Sequence, residues 1–157
     1  KEESQDGASV NQSAKDGDTK KPTTPKAAPK KEAPKREVSK NVVQAFKKQY
    51  SGTSDVVWKE GDNRTWIAYF DEDGLNKEAV YSENAAWIET RTKINQELKI
   101  PASIRTAIAK NYAGMEIQSC TMILRPEEKP YYTITLYDKK TKSSNDYDFS
   151  STGKLME

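Results

Sequence analysis

The sequence predicts an α+β fold in which a helix plus about four antiparallel strands is written twice, with the helices packed on one face of the sheet. Three observations carry this. Residues 38–52, V-S-K-N-V-V-Q-A-F-K-K-Q-Y-S-G, are echoed by residues 100–114, I-P-A-S-I-R-T-A-I-A-K-N-Y-A-G. A shift of 62 superposes Val42 on Ile104, Ala45 on Ala107, Phe46 on Ile108, Lys48 on Lys110, Tyr50 on Tyr112 and Gly52 on Gly114. Short β-branched and aromatic runs separated by turn residues follow each echo. The ends correspond too: residues 79–89, A-V-Y-S-E-N-A-A-W-I-E, align with residues 147–157, Y-D-F-S-S-T-G-K-L-M-E, at a shift of 68. Loop growth between strands of a repeated unit gives such an increase.

Residues 1–37 precede the first unit. They hold no aromatic residue, no Leu, Ile or Met, and four prolines, Pro22, Pro25, Pro29 and Pro34. So little apolar surface does not offset the entropy of ordering a chain. A disordered Pro/Lys-rich arm or linker is expected there, followed by one domain over 38–157, made of repeats 38–99 and 100–157.

In the first repeat Ser39 is placed to cap a helix, with Val42, Ala45, Phe46 and Tyr50 on one stripe and Gly52 as a left-handed stop. Strands are then expected at D-V-V-W-K, T-W-I-A-Y-F, E-A-V-Y and W-I-E, with turns at G-D-N and D-E-D-G. In the second repeat Pro101 suits a first helical turn, Ile104, Ala107, Ile108 and Tyr112 form the stripe, and Gly114 ends it. Strands follow at I-Q-S-C-T-M-I-L, Y-Y-T-I-T-L-Y, D-Y-D-F and K-L-M-E.

Alternation assigns the faces, because successive strand side chains point opposite ways. Trp66, Ala68 and Phe70, with Tyr132, Ile134 and Leu136, form the more apolar sets and belong under the helices. Ile67, Tyr69, Thr133, Thr135 and Tyr137 then lie on the opposite face, which an antiparallel sheet leaves to water or to a ligand. They are the candidate binding residues.

Charge and composition narrow the function. From residue 38 onward 17 Lys and Arg balance 17 Asp and Glu, so no basic surplus lies against phosphates and no nucleic-acid partner is expected. Lys20–Arg36 carries seven positive charges against Glu32 alone, a solvated spacer or a stretch that touches an anionic surface. The chain has no His and a single Cys, Cys120, so the commonest general base and any intrachain disulfide are absent. No apolar run approaches the roughly 20 residues of a membrane span. The opening K-E-E-S-Q-D-G is not a signal peptide; it has the polar character of a stretch that follows a removed export or lipoprotein signal.

No motif asks for catalysis, and no cofactor or metal is expected. Asp71-Glu72-Asp73-Gly74 is rich in oxygen, but a calcium loop needs its ligands spaced around the Gly, and a hairpin turn explains the run. Glu127-Glu128 lies between prolines, in a surface loop. Asp146 and Asp148 alternate with Tyr147 and Phe149, on the solvent side of a strand. Acid/base work needs one carboxyl in a desolvated pocket, and no serine has an evident activating base. Asn11 and Asn63 begin glycosylation-type triplets of the kind that chance supplies. Trp58, Trp66 and Trp87 are able to stack on sugars, with core packing the plainer role.

The runs A-F-K-K-Q-Y-S-G, V-V-W, W-I-A-Y-F-D-E-D-G, A-V-Y-S-E-N-A-A-W-I-E-T and L-K-I-P-A-S-I-R-T-A-I-A-K-N-Y together resemble the PepSY-like secreted proteins, exported proteins of Gram-negative bacteria. Their tandem helix-plus-sheet units are similar to the β-lactamase-inhibitor-protein (BLIP) fold. The resemblance covers 38–157. The chain departs from it at S-E-N-A-A-W, where the family prefers a D-x-x-G turn, and at S-G-T, where Tyr-Pro-Gly is common. The resemblance implies export to the periplasm or to the surface as an outer-membrane lipoprotein, a tether through an N-terminal lipid among the options, and no catalytic centre. The expected function is therefore a non-catalytic binding module that holds a protein or peptide in the cell envelope. The alternative is a small-ligand or glycan-binding envelope lipoprotein.

Overall fold

Ser39 Oγ accepts a hydrogen bond from the Val42 N–H at 3.3 Å and so starts helix α1, Lys40–Gln49, where the sequence expects it. In this computed structural model the described residues are 36–157, so the expected arm lies outside them except for Arg36 and Glu37. Strands β1 (Val57–Glu60), β2 (Thr65–Glu72), β3 (Leu75–Ser82) and β4 (Trp87–Lys93) follow α1. Helix α2 (Ala102–Asn111) leads into β5 (Met115–Leu124), β6 (Tyr131–Asp138) and β7 (Ser143–Ser150). All seven strands form one antiparallel sheet in chain order, β4 pairing directly with β5 across the α2 connection.

Each helix covers its own half of the sheet. Val42 and Phe46 of α1 pack on Trp66, Ala68, Phe70, Ala79 and Tyr81. Ile104 and Ile108 of α2 pack on Cys120, Ile134, Leu136 and Phe149. The strand residues in both sets lie on one face, because directly paired residues share a side: Trp66 opposes Tyr81, and Cys120 opposes Ile134. Burying each large apolar side chain contributes roughly 1.5–3 kcal/mol, which is why this face, and not the other, carries the helices. Polar groups under α1 are paired. Thr90 Oγ1 lies 2.6 Å from the Tyr50 hydroxyl and accepts from Trp87 Nε1–H at 3.0 Å, while the Tyr81 hydroxyl donates to Gln49 at 2.9 Å.

Three expectations need correction. The run K-L-M-E is not an eighth strand, since only Leu155 forms a bridge, to Phe149. The run meets β7 only through that bridge and two backbone bonds, Ser150 N–H to the Lys154 carbonyl and Met156 N–H to the Asp148 carbonyl. Gly52 is not left-handed; the end of α1 is closed instead by Thr53, whose hydroxyl donates to the Tyr50 carbonyl at 2.9 Å. Pro101 stands at the N-cap rather than inside the first turn of α2, which begins at Ala102. The Asp73-Gly74 turn of the β2–β3 hairpin is as expected, with Glu72 opposite Leu75.

Candidate binding face

The face away from the helices divides into two chemically different halves. Around β2–β5 it is apolar and cationic. Ile67 opposes Val80, and Val80 opposes Glu89. The β3–β4 register shifts here, pairing Tyr81 with Trp87 and Val80 with Glu89, so Ile88 is an extra, bulged residue. A bulge bends the strand and re-aims a side chain, and Ile88 is left 38% exposed. Ile67, Val80 and Ile88 line a groove of about 490 Å³ with Asn63, Glu89 and Arg91.

Glu89 is the electrostatic centre of this half. It is only 6% exposed, and an unpaired carboxylate at such a position is costly. Arg91 reaches one of its oxygens at 2.5 Å and Arg125 Nε donates to the other at 3.0 Å. Burial alone pushes the carboxyl up, but the hydrogen bonds from Arg125 and Arg91 outweigh it and hold Glu89 below the usual carboxylate range. Arg91 also faces Glu78 at 3.7 Å, and the Arg125 guanidinium lies over the Tyr131 ring at 5.5 Å. Both arginines remain 43% exposed at the side chain, so their outer edges are open to a partner.

The turns at one end of the sheet hold left-handed backbone, and Asn63 among them lines the groove. Asn63 (φ 54), Arg64 (φ 58) and Ala85 (φ 65) adopt left-handed backbone in the β1–β2 and β3–β4 turns, and Glu127 (φ 60) does so in the β5–β6 loop. These loops share one end of the sheet, as the registers require. Such a conformation costs most L-residues about 1–2 kcal/mol, and Asn and Asp less; Asp55, Asp73 and Lys142 adopt it elsewhere in the fold.

The other half of this face is polar. Ser119 Oγ donates to Thr135 Oγ1 at 2.8 Å, Thr135 donates to Asp146 at 2.6 Å, and Thr133 donates to Asp148 at 2.6 Å. The hydroxyls of Thr133 and Thr135 are therefore occupied. Tyr137 is half-buried between Glu116 and Ser144. Tyr69 opposes Val57 and Glu78, with the Lys59 ammonium 5.0 Å from its ring centre.

Of the five residues expected from the sequence, only Ile67 sits in the groove; Tyr69 lies along β2 from it, and Thr133, Thr135 and Tyr137 form a separate patch. Val80, Ile88, Glu89, Arg91, Arg125 and Tyr131 were not anticipated. Alternation would have placed Val80 opposite Ile67 once the β2–β3 register was known; the bulge at Ile88 leaves no mark in the sequence. Trp66 is 5% exposed, and Trp58 and Trp87 pack against the same core cluster, so the tryptophans serve the helix side.

No family model matches the chain, and no curated protein matches it. Solved structures do share its fold. A BLIP-like protein from Bacteroides fragilis NCTC 9343 superposes with a TM-score of 0.70 at 23% identity, over 78% of this chain and 85% of that one. A DUF2874 family protein from Bacteroides uniformis ATCC 8492 gives 0.71 at 20% identity, over 77% and 88%. A candidate periplasmic protein from Bacteroides eggerthii DSM 20697 gives 0.70 at 20% identity, over 78% and 88%. The fold is therefore BLIP-like.

Proposed function

We propose that this chain is a non-catalytic, exported binding module that holds a protein or peptide on the open face of its sheet. One observation carries the reading: the half-exposed cluster of Ile88, Arg91, Arg125 and Tyr131 around buried Glu89, beside the Ile67–Val80 groove. Arg and Tyr set among apolar residues are the composition of interface hot spots. The BLIP-like fold of the B. fragilis protein supports an inhibitor-like mode, and the B. eggerthii protein supports an envelope location. The PepSY-like reading rests on the sequence motifs.

We also read the two halves as one unit used twice. Val42 and Ile104 are both fully buried, Phe46 and Ile108 nearly so. Tyr50 and Tyr112 each cap a ten-residue helix with an N–H donated at 2.8 Å, to Phe46 and Ile108 respectively. A glycan-binding role finds less support, because the tryptophans that would stack on sugars serve the core.

Cross-linking capture from a Bacteroides envelope fraction tests the reading. Ile88→Asp and Tyr131→Ala are expected to reduce capture of the partner at least about tenfold, the loss of one hot-spot contact. Tyr69→Ala and Tyr137→Ala are expected to leave it within a factor of about three, as rim changes do. Equal capture by all four folded variants would sink the assignment of this face. The N-terminus of the precursor decides export and lipidation separately.

A further inference from the structure

We infer that the open stretch of β7 is where a second copy of this chain adds an antiparallel strand, joining two sheets edge to edge. The two edges of the sheet differ. β1 has four residues; its Lys59 covers Tyr69, and its Glu60 is taken by Arg36 at 2.6 Å. Short, charged and occupied, it is protected as natural edge strands are. β7 has eight residues, keeps an unbroken register with β6, contains no Pro, Lys or Arg, and has its two carboxylates, Asp146 and Asp148, held by Thr135 and Thr133 of β6. Exposed edges of that kind are templates for another strand.

The chain's own tail identifies the outward-pointing groups. The Met156 N–H donates to the Asp148 carbonyl and the Ser150 N–H to the Lys154 carbonyl, both at 2.8 Å, and Phe149 bridges Leu155 in antiparallel sense. Even-numbered residues of β7 therefore aim their backbone groups away from β6, because the direction alternates along a strand. Ser144 and Asp146 point outward in the same way, and among the described residues no backbone group pairs with them there. Segment 154–156 demonstrates that the edge accepts an antiparallel strand, and among the described residues it pairs with Asp148, Phe149 and Ser150 alone.

Charge selects the register for a second copy. In an isologous pair, centring the two-fold on Asn145 sets Ser144 opposite the second copy's Asp146, and the reverse, with four backbone hydrogen bonds. Each carboxylate then faces a serine. Moving the centre to Asp146 sets two carboxylates directly opposite each other, which is unfavourable. Moving it to Ser144 sets Asp146 against Lys142, which has left the strand in a turn at φ 56. The S-N-D centre thus has one register that keeps the carboxylates apart, with the Ser144 hydroxyl donating to Gln118 and Asp146 accepting from Thr135 within each copy. The union continues the hydroxyl–carboxylate half of the open face from one copy into the next and presents two grooves from one assembly, the arrangement that raises avidity for a repeated partner.

Sedimentation of the full chain across micromolar to millimolar concentration is expected to show a reversible monomer–dimer equilibrium. Ser144→Pro removes one outward N–H per copy, a change an edge strand tolerates, and is expected to abolish the dimer. Ser144→Asp keeps every backbone group but sets carboxylates face to face twice, and weakens the dimer about tenfold at low salt. Asn145→Cys is expected to form a disulfide dimer under mild oxidation, because a non-hydrogen-bonded pair brings Cα atoms to about 4.5 Å. Ser143→Cys, which would face Tyr147, is not. A monomer at every concentration overturns the proposal. So does a dimer unchanged by both Ser144 substitutions, or cross-linking that is equal at 143 and 145.

Discussion

Arg125 donates its Nε–H to a carboxylate that the fold has buried, that of Glu89, across the β4–β5 junction at 3.0 Å, while Arg91 holds the other oxygen. The pair joins the last strand of the first half to the first strand of the second. Removing both guanidinium groups strands the charge, so Arg91→Ala with Arg125→Ala is expected to cost about 3 kcal/mol in urea denaturation. Adding Glu89→Leu to that double variant is expected to restore most of the loss, since an apolar replacement leaves no charge to desolvate.

The same carboxylate makes stability depend on pH with a definite sign. Its pKa in the fold lies below the ordinary value of 4.5, so the unfolded chain binds the proton first as pH falls. The contribution of Glu89 is present above that ordinary value and is lost as pH falls through the lower, folded one. Wild type is therefore expected to lose its advantage over Glu89→Gln progressively as pH falls below the ordinary value of 4.5, with the difference flat from about pH 6 to 8. Parallel thermal melts of the two proteins check it, and an advantage that grows on acidification contradicts the assignment.

Phe46 is the hub of the first core. Its ring lies 5.0 Å from Phe70, 5.3 Å from Tyr50, 5.5 Å from Trp58 and 6.4 Å from Tyr81, mostly in edge-on geometry. Phe46→Ala is expected to cost about 3–5 kcal/mol, and Ile104→Ala, at the place in the second core that Val42 holds in the first, about 2–5. Chemical denaturation measures both. A loss under 1 kcal/mol at either position would mean that its helix does not stay docked on the sheet.

Two glycines separate backbone strain from steric exclusion. Gly114 (φ 89) has open space where a Cβ would stand, whereas a Cβ on Gly153 (φ 84) would meet the Ser103 carbonyl oxygen at 2.5 Å. Gly114→Ala is expected to cost about 1 kcal/mol, the backbone term alone. Gly153→Ala is expected to cost roughly twice that, because the rigid start of α2 must also move. It is also expected to loosen the Ser103 Oγ–Ser151 carbonyl bond at 2.7 Å and with it the C-terminal turn. Hydrogen exchange at Met156 and Ser150 reports that loosening.

The architecture was legible in the sequence for a physical reason. Helical stripes and strand alternation are short-range patterns, and both are imposed by burial. Val42, Phe46, Ile104 and Ile108, and Trp66, Ala68 and Phe70, are where periodicity puts them. What escaped was long-range. The Glu89–Arg125 pair spans 36 residues and depends on β4 meeting β5, which no local pattern encodes. Ile88 reads as an ordinary strand residue until the register slips beside it. The missing eighth strand failed differently: K-L-M-E has the composition of a strand, but only Leu155 of it forms a bridge, to Phe149.

Cys120 offers a last check on the second core. It is 3% exposed, opposite Ile134, and burial pushes its thiol up to about 11. Since the thiolate is the reactive form, the native protein is expected not to react with a thiol reagent at pH 7–8. The rate should rise by orders of magnitude once denaturant opens the fold. Ile104→Ala, which thins the packing of α2 over the same cluster, is expected to raise the native labelling rate in proportion to the stability lost, about tenfold for each 1.4 kcal/mol when opening is global and fast. Rapid labelling of the wild type without denaturant would show that the thiol is open to solvent, and that α2 does not seal this half of the sheet.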